Sequence, residues 1–408
     1  MELLEIRNRR DFMEAFQVAM SGAHENLRRL WTFEKEQNLP KSYLIEFHPK
    51  PNGDHDHNWT SEDVYSALKR TGRLHNAMVD KTEDESLLLL SHQEPQHEAE
   101  FIVDCLNPRF LALHTISNAE STDRFILNRL TKYQAEFDLF WFPVALLENI
   151  EYRERIIGWE VQFEPLVDGE GFITLENEEV VSDQIIEEAN GDRANVKVID
   201  RPRLDMKFGY PDALTTYKQI RNVPDLLPDF PLTAVITARS DEQGQDYARA
   251  RIRSDGKITG RGPDFYAYLQ IVNGTLDNYA DIVQKLEQEY WIKLEPRNTD
   301  ISQGIGITGK PFCIRFLRTI NVPDLIDIMF NCKPPFRLMG VPERIEDDFY
   351  SIDAIDLHVN QRVGIEISST FMRIYLYNHT CGNTLVRIIR SLQHRVDSKL
   401  IHPELVTA

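Results

Sequence analysis

The sequence predicts an α+β fold: tandem β-α-β-β-β-α modules behind a long N-terminal helix. Three observations predict it. Apolar residues recur at three- and four-residue steps over the first helix, and short alternating runs read as strands between later helices. The apolar pattern of residues 248–290 also recurs further on. One shift of register carries Phe265 onto Phe371, Tyr268 onto Ile374 and Gln270 onto Leu376. The same shift carries Tyr279 onto Leu385, Ile282 onto Ile388, Val283 onto Ile389 and Leu286 onto Leu392, without a gap. Each copy reads as strands closed by one amphipathic helix.

The N-terminal helix spans residues 11–37. Phe12, Phe16, Met20, Ala23, Leu27, Leu30 and Trp31 form its stripe, and Asp11 suits the N-cap. A strand follows at 43–48, with Tyr43, Ile45 and Phe47 on one face. Thr60-Ser-Glu-Asp63 resembles a capping box, opening a helix whose face is Val64, Ala67, Leu68 and Thr71. Strands are expected around Leu87–Leu90 and at 101–105 and 110–115, the last two joined through Asn107-Pro108; a helix covers 122–133. Together these make an N-terminal unit, residues 1–150. An acidic connecting region, 151–195, holds one alternating strand through Trp159 and Val161.

The second module is residues 196–295. Leu204, Met206 and Phe208 make one strand face; a helix at 212–221 and strands at 232–238, 247–253 and 264–272 follow, and Asp255-Gly256 marks a hairpin turn. The closing helix is 278–291. The third module, 308–400, repeats the second: Leu204, Met206 and Phe208 map onto Phe312, Ile314 and Phe316, and Tyr217 and Ile220 onto Leu325 and Ile328. The first unit shares the element order without a residue-level match, which leaves a third copy open.

Composition limits function. Against 46 Lys+Arg stand 65 Asp+Glu, a formal charge of -19, which disfavours a general nucleic-acid or anionic-membrane binder. No apolar run is long enough to span a bilayer, and the opening MELLEIRNRRDF does not read as a signal peptide. Cys105, Cys313, Cys332 and Cys381 lie far apart with no CxxC pair, which suits reduced thiols in the cytoplasm. No GxxxxGK[ST] loop or GxSxG elbow occurs, and the glycine-rich stretch 304–310 reads as a loop before the Phe312 strand.

Three constellations carry chemistry. His48, Asp54, His55, Asp56 and His57 are ligand types for a divalent metal, although neighbours in DHDH point alternately on an extended chain. A solvated polar loop between Pro51 and Trp59 is the preferred reading, with a metal site as the alternative. Arg249, Arg251 and Arg253 share one face of a strand, about 6.6 Å apart, with Lys257 and Arg261 beyond the turn. Such a row suits phosphates or carboxylates, and cross-strand acids would satisfy it too. In the third module the arginines become Asp356, His358 and Asn360. Arg387, Arg390 and Arg395 lie on the last helix, where cations also complement the helix dipole.

These features point first to a non-enzymatic binding or scaffolding subunit of a cytoplasmic complex, with a protein partner and no cofactor. A nucleic-acid-contacting accessory protein using the arginine strand is the first alternative. A metal-dependent hydrolase using the His/Asp loop is the second.

Overall fold

The computed structural model describes residues 5–30, 39–48, 59–133, 136–150, 155–161, 206–209, 213–221, 231–240, 247–299, 302–403 and 405. Helices and strands are both abundant, and the strands gather in two sheets, so the α+β class holds. The first sheet has 11 strands, in the order β2-β3-β4-β5-β1-β11-β10-β9-β7-β8, with β6 added beside β1. The second has seven, in the order β13-β12-β18-β17-β16-β15, with β14 beside β18.

Strand β1 (Lys41–Phe47) is the centre of the first sheet. It pairs antiparallel with β5 (Phe110–Thr115), β6 (Phe137–Leu139) and β11 (Lys257–Arg261). Tyr43, Ile45 and Phe47 share a face, as alternation requires; Tyr43 meets Phe101 and Thr122, and Phe47 packs on Phe137 and Trp59. The other face is buried as well: all seven residues are inaccessible, and Ser42 reaches the Tyr268 hydroxyl at 2.8 Å.

The N-terminal helix runs Arg9–Leu30, with Phe12 and Phe16 packed against Phe265; residues 31–37 of the expected helix lie outside the described residues. The helix Ser61–His75 starts as its cap predicts, Asp63 Oδ2 accepting from the Thr60 amide at 2.9 Å. Strands β2 (Ala77–Lys81), β3 (Leu87–Glu94) and β4 (His97–Asp104) then run as a meander into β5. Strand β7 is Arg155–Val161, β8 Met206–Gly209, β9 Leu232–Ser240 and β10 Tyr247–Arg253. The β10–β11 hairpin turns at Asp255-Gly256, where Gly256 has φ +81°. Because β11 pairs β1, the sheet runs unbroken through strands of residues 1–150 and 196–295.

The largest departure is the helix Phe265–Tyr290. Residues 265–272 are its first turns, not a strand, so Phe265 is helical where Phe371 lies in β18 (Phe371–Tyr377). The sequence repeat is therefore not confirmed. Asp264 caps the helix by accepting from the Tyr266 amide at 2.9 Å, and the spacing Phe265, Tyr268, Leu269, Val272, Leu276, Tyr279, Val283, Leu286, Tyr290 stays buried throughout. Over 26 residues it spans about 39 Å, from the first sheet to the second.

The second sheet comprises β12 (Trp291–Thr299), β13 (Ser302–Thr308), β14 (Phe312–Arg315), β15 (Leu338–Glu346), β16 (Phe349–Asp356), β17 (Gln361–Ser368) and β18. Gly304 to Thr308 thus belong to β13 and not to a loop. The helix Val322–Met329 follows β14, and Asn383–Arg395 follows β18. Residues 308–400 therefore carry four meander strands where three were expected. Their order, β15-β16-β17-β18-β14, is that of β2-β3-β4-β5-β1 in the first sheet, with first and last strands antiparallel in both. The topological likeness joins the first and third units, and the expected residue match joined the second and third.

Candidate functional site

Where the two sheets meet, the structure buries charge. Glu46 sits near the end of β1 with no exposed surface. A lone carboxylate there would be prohibitively costly, so partners are required. Arg109, at the start of β5, donates to Glu46 Oε1 through Nε at 2.9 Å and Nη2 at 2.8 Å. Its Nη1 reaches Glu287 Oε2 at 2.9 Å, and Glu287 Oε1 accepts from the Gly382 amide at 2.8 Å.

The second oxygen of Glu46 faces the other sheet. Cys381 Sγ donates to Oε2 at 3.0 Å, and His358 Nε2 lies 3.6 Å from the same atom. His358 stands in the β16–β17 turn, its amide held by Asp356 Oδ1 at 2.9 Å. Cys381 lies just before the Asn383–Arg395 helix, its amide held by Gln361 Oε1 at 3.0 Å. The side chains of Glu46, Glu287, His358 and Cys381 are buried, and Arg109 is 14% exposed. Burial pushes the Glu46 carboxyl up, but Arg109 and His358 outweigh it and hold the group below its ordinary value. Burial, with Glu46 adding to it, pushes the Cys381 thiol well up. The thiol is thus a protonated donor, unlike the exposed low-pKa cysteines that act as nucleophiles.

A second ionic knot adjoins the first. Arg387 projects from the last helix between Asp138 of β6 and Asp356 of β16, with no exposed surface. Its Nη2 reaches Asp356 Oδ1 at 2.6 Å. Asp138 also accepts from Trp141 Nε1 at 3.2 Å and Asn383 Nδ2 at 3.3 Å, and Arg337 Nη1 lies 3.9 Å away. Thr384 binds Asp356 and Tyr279 binds Asn383. Burial lowers the Arg387 affinity for its proton, but the two aspartates more than restore it.

Several expected site residues are placed differently. Arg387 is interior, so it is not available to a partner; the last helix is covered on nearly every side rather than on one. Arg390 is half-buried, 5.2 Å above the Trp141 ring and 3.0 Å from Ser254 Oγ, and Arg395 is half-buried too. Arg249, Arg251 and Arg253 do share a face of β10. Arg251 grips Glu160, Arg253 binds Asp255 at 2.7 Å, and Lys257 is buried against Asp123 at 2.7 Å. Three of these five cations are thus satisfied internally by acids, which removes them as a free anion-binding row. Arg249 and Arg261 are exposed and stand opposite each other in the ladder.

Asp54, His55, Asp56 and His57 lie outside the described residues. His48 is buried with its ring 5.1 Å from Trp59, two residues beyond Glu46. Sequence reasoning missed Glu46, Arg109, Glu287 and Cys381 as a group. Nothing in linear order announces them, because they come from four distant segments.

Among the described residues no helix is long and apolar enough to cross a membrane, and all four cysteines are free thiols. A protein of Methanocaldococcus jannaschii, MJECL33, is 24% identical over 417 residues, covering 97% of this chain and 94% of its own length. The MJECL33-like protein family matches residues 1–402, and with that span covered the chain belongs to this family.

Proposed function

We propose that the chain is a binding subunit of a cytoplasmic complex that docks a protein partner along the outer edge of the second sheet. The observation that carries this is β15. Among the described residues it is an edge strand whose one strand partner is β16, with Asn331 bridging only its start at Met339, and Met339, Val341 and Ile345 on it are 46%, 83% and 51% exposed. An open apolar edge of this kind accepts an added strand through its free backbone groups. Glu343, Glu346, Asp347 and Asp348 are exposed beside it, so the occupant is a strand alternating apolar and basic residues. The opposite edge repeats the pattern: Leu294 and Ile307 pair across β12 and β13, 71% and 66% exposed. The acid satisfaction of Arg251, Arg253 and Lys257 weighs against nucleic acid, and four free thiols suit a reducing compartment.

The test is purification of the tagged chain at native expression level with mass spectrometry of what accompanies it. It is repeated for Val341→Asp combined with Ile345→Asp. One stoichiometric protein, lost in the double variant while the circular dichroism stays unchanged, is the expected result. A solitary chain, or a partner retained by the variant, overturns the proposal.

A further inference from the structure

We infer that Glu46, His358 and Cys381 form a site for one divalent transition-metal ion of the zinc class, clamped between the two sheets. Their donor atoms, a carboxylate oxygen, an imidazole nitrogen and a sulfur, lie within 4.8 Å of one another and all three residues are buried. These are the ligand types of three-ligand zinc sites, whose fourth position takes water. Tetrahedral coordination at ordinary zinc distances separates ligand atoms by about 3.3 to 3.6 Å. Of the two separations in the structure, His358 Nε2 to Glu46 Oε2 at 3.6 Å lies in that range, and Sγ to the same oxygen at 3.0 Å would widen by about half an ångström as the S–H···O hydrogen bond gives way to the ion.

Three further observations favour an ion over a purely structural cluster. His358 has no exposed surface, and among the described residues neither of its ring nitrogens makes a hydrogen bond, although Nε2 points at Glu46. Buried imidazoles are normally satisfied. The two oxygens of Glu46 are also divided in role. Arg109 takes Oε1, which orients the carboxylate as outer-shell partners of metal ligands do, and Oε2 is left facing the other two donors. Finally, the junction holds four buried carboxylates, Glu46, Glu287, Asp138 and Asp356, against the three guanidiniums of Arg109, Arg337 and Arg387. A dication bound with loss of the Cys381 thiol proton balances this surplus. Arg109 Nη2 also donates to Sγ at 3.9 Å, as an outer-shell donor to a bound thiolate would, and is itself neutralised by Glu287.

Cobalt(II) is the probe, because a thiolate ligand gives it a charge-transfer band in the near ultraviolet. The full chain is expressed in zinc-depleted medium supplemented with cobalt, so that the ion enters as the site folds. Two forms are compared: the native sequence, and a chain in which Cys105, Cys313 and Cys332 are changed to Ala, leaving Cys381 as the only thiol. The expected result is about one cobalt per chain, with the thiolate band and tetrahedral visible bands, in both forms. His358→Asn in the single-thiol chain should remove the tetrahedral visible pattern. Absence of the thiolate band in the native chain, or its loss from the single-thiol chain, overturns the inference.

Discussion

Replacing Arg387 by Leu should be among the most damaging single changes in this protein. The guanidinium has no exposed surface and answers two carboxylates, Asp138 and Asp356, which are 1% and 0% exposed. Breaking a buried ion pair by deleting one partner costs about 3–5 kcal/mol, chiefly because the other charge stays buried alone. Here two charges are stranded, but neither loses all support. Asp138 keeps Trp141 and Asn383, with Arg337 at 3.9 Å; Asp356 keeps Thr384 and the His358 amide. The loss should therefore be about 5 kcal/mol, not the doubled figure, and comparable to the whole stability of a small domain. Urea unfolding followed by tryptophan fluorescence reads it, since Trp141 touches Asp138 directly. Adding Asp138→Asn and Asp356→Asn to Arg387→Leu should restore most of the loss, because an uncharged replacement of a buried network is close to neutral. An unfolding free energy for Arg387→Leu within about 0.5 kcal/mol of the native chain's would falsify this account.

Two further outcomes follow from burial and backbone. His114, in the core beside Phe12 and hydrogen-bonded to Ser42 at 2.8 Å, has its pKa lowered by burial to about 4. Unfolded, it takes up a proton near 6.5, so its neutral burial costs nothing above that pH, and stability is lost as pH falls from about 6.5 to about 4, by roughly 3 kcal/mol in all. His114→Gln should flatten that limb of a stability-against-pH curve; an unchanged slope refutes the assignment. Gly256→Ala should cost about 2–3 kcal/mol, because φ is +81° and the new Cβ would lie 3.0 Å from Phe140 Cβ and 3.1 Å from the Leu44 carbonyl. Thermal melts of the two chains side by side measure it, and equal melting would show that the turn relaxes freely.

Local chemistry made much of the fold legible. The Thr60–Asp63 cap, the Asp255-Gly256 turn and the alternation of Tyr43, Ile45 and Phe47 are each settled by neighbours in sequence. The stretch 265–272 misleads because Phe, Tyr, Ile and Val favour strands and the run is apolar at nearly every position. The three- and four-residue spacing that continues to Tyr290, behind the Asp264 cap, was the stronger signal. The ionic junction was not legible. Glu46 on an alternating strand reads as a solvent-facing residue, and its cover comes from distant chain, Arg109 on one oxygen and His358 and Cys381 on the other. Arg387 reads from sequence as available to a partner for a related reason: helix periodicity shows an apolar side but not that packing closes over the other.

The pairing of β1 with β11 has a consequence for how the chain is made. Lys41 lies opposite Thr259, so the strand at the centre of the first sheet waits for more than 200 further residues before that flank is covered. During synthesis β5 and β6 can pair with β1 early, β6 covering Ile45 to Phe47, but the Lys41–Tyr43 part of that edge stays open until β11 emerges from the ribosome. A truncated product ending near residue 150 would keep the Lys41–Tyr43 part of that edge unpaired and the apolar floor beneath the Phe265–Tyr290 helix bare. It should collect in the insoluble fraction unless a chaperone holds it, and supplying residues 247–290 in trans should draw it back into solution.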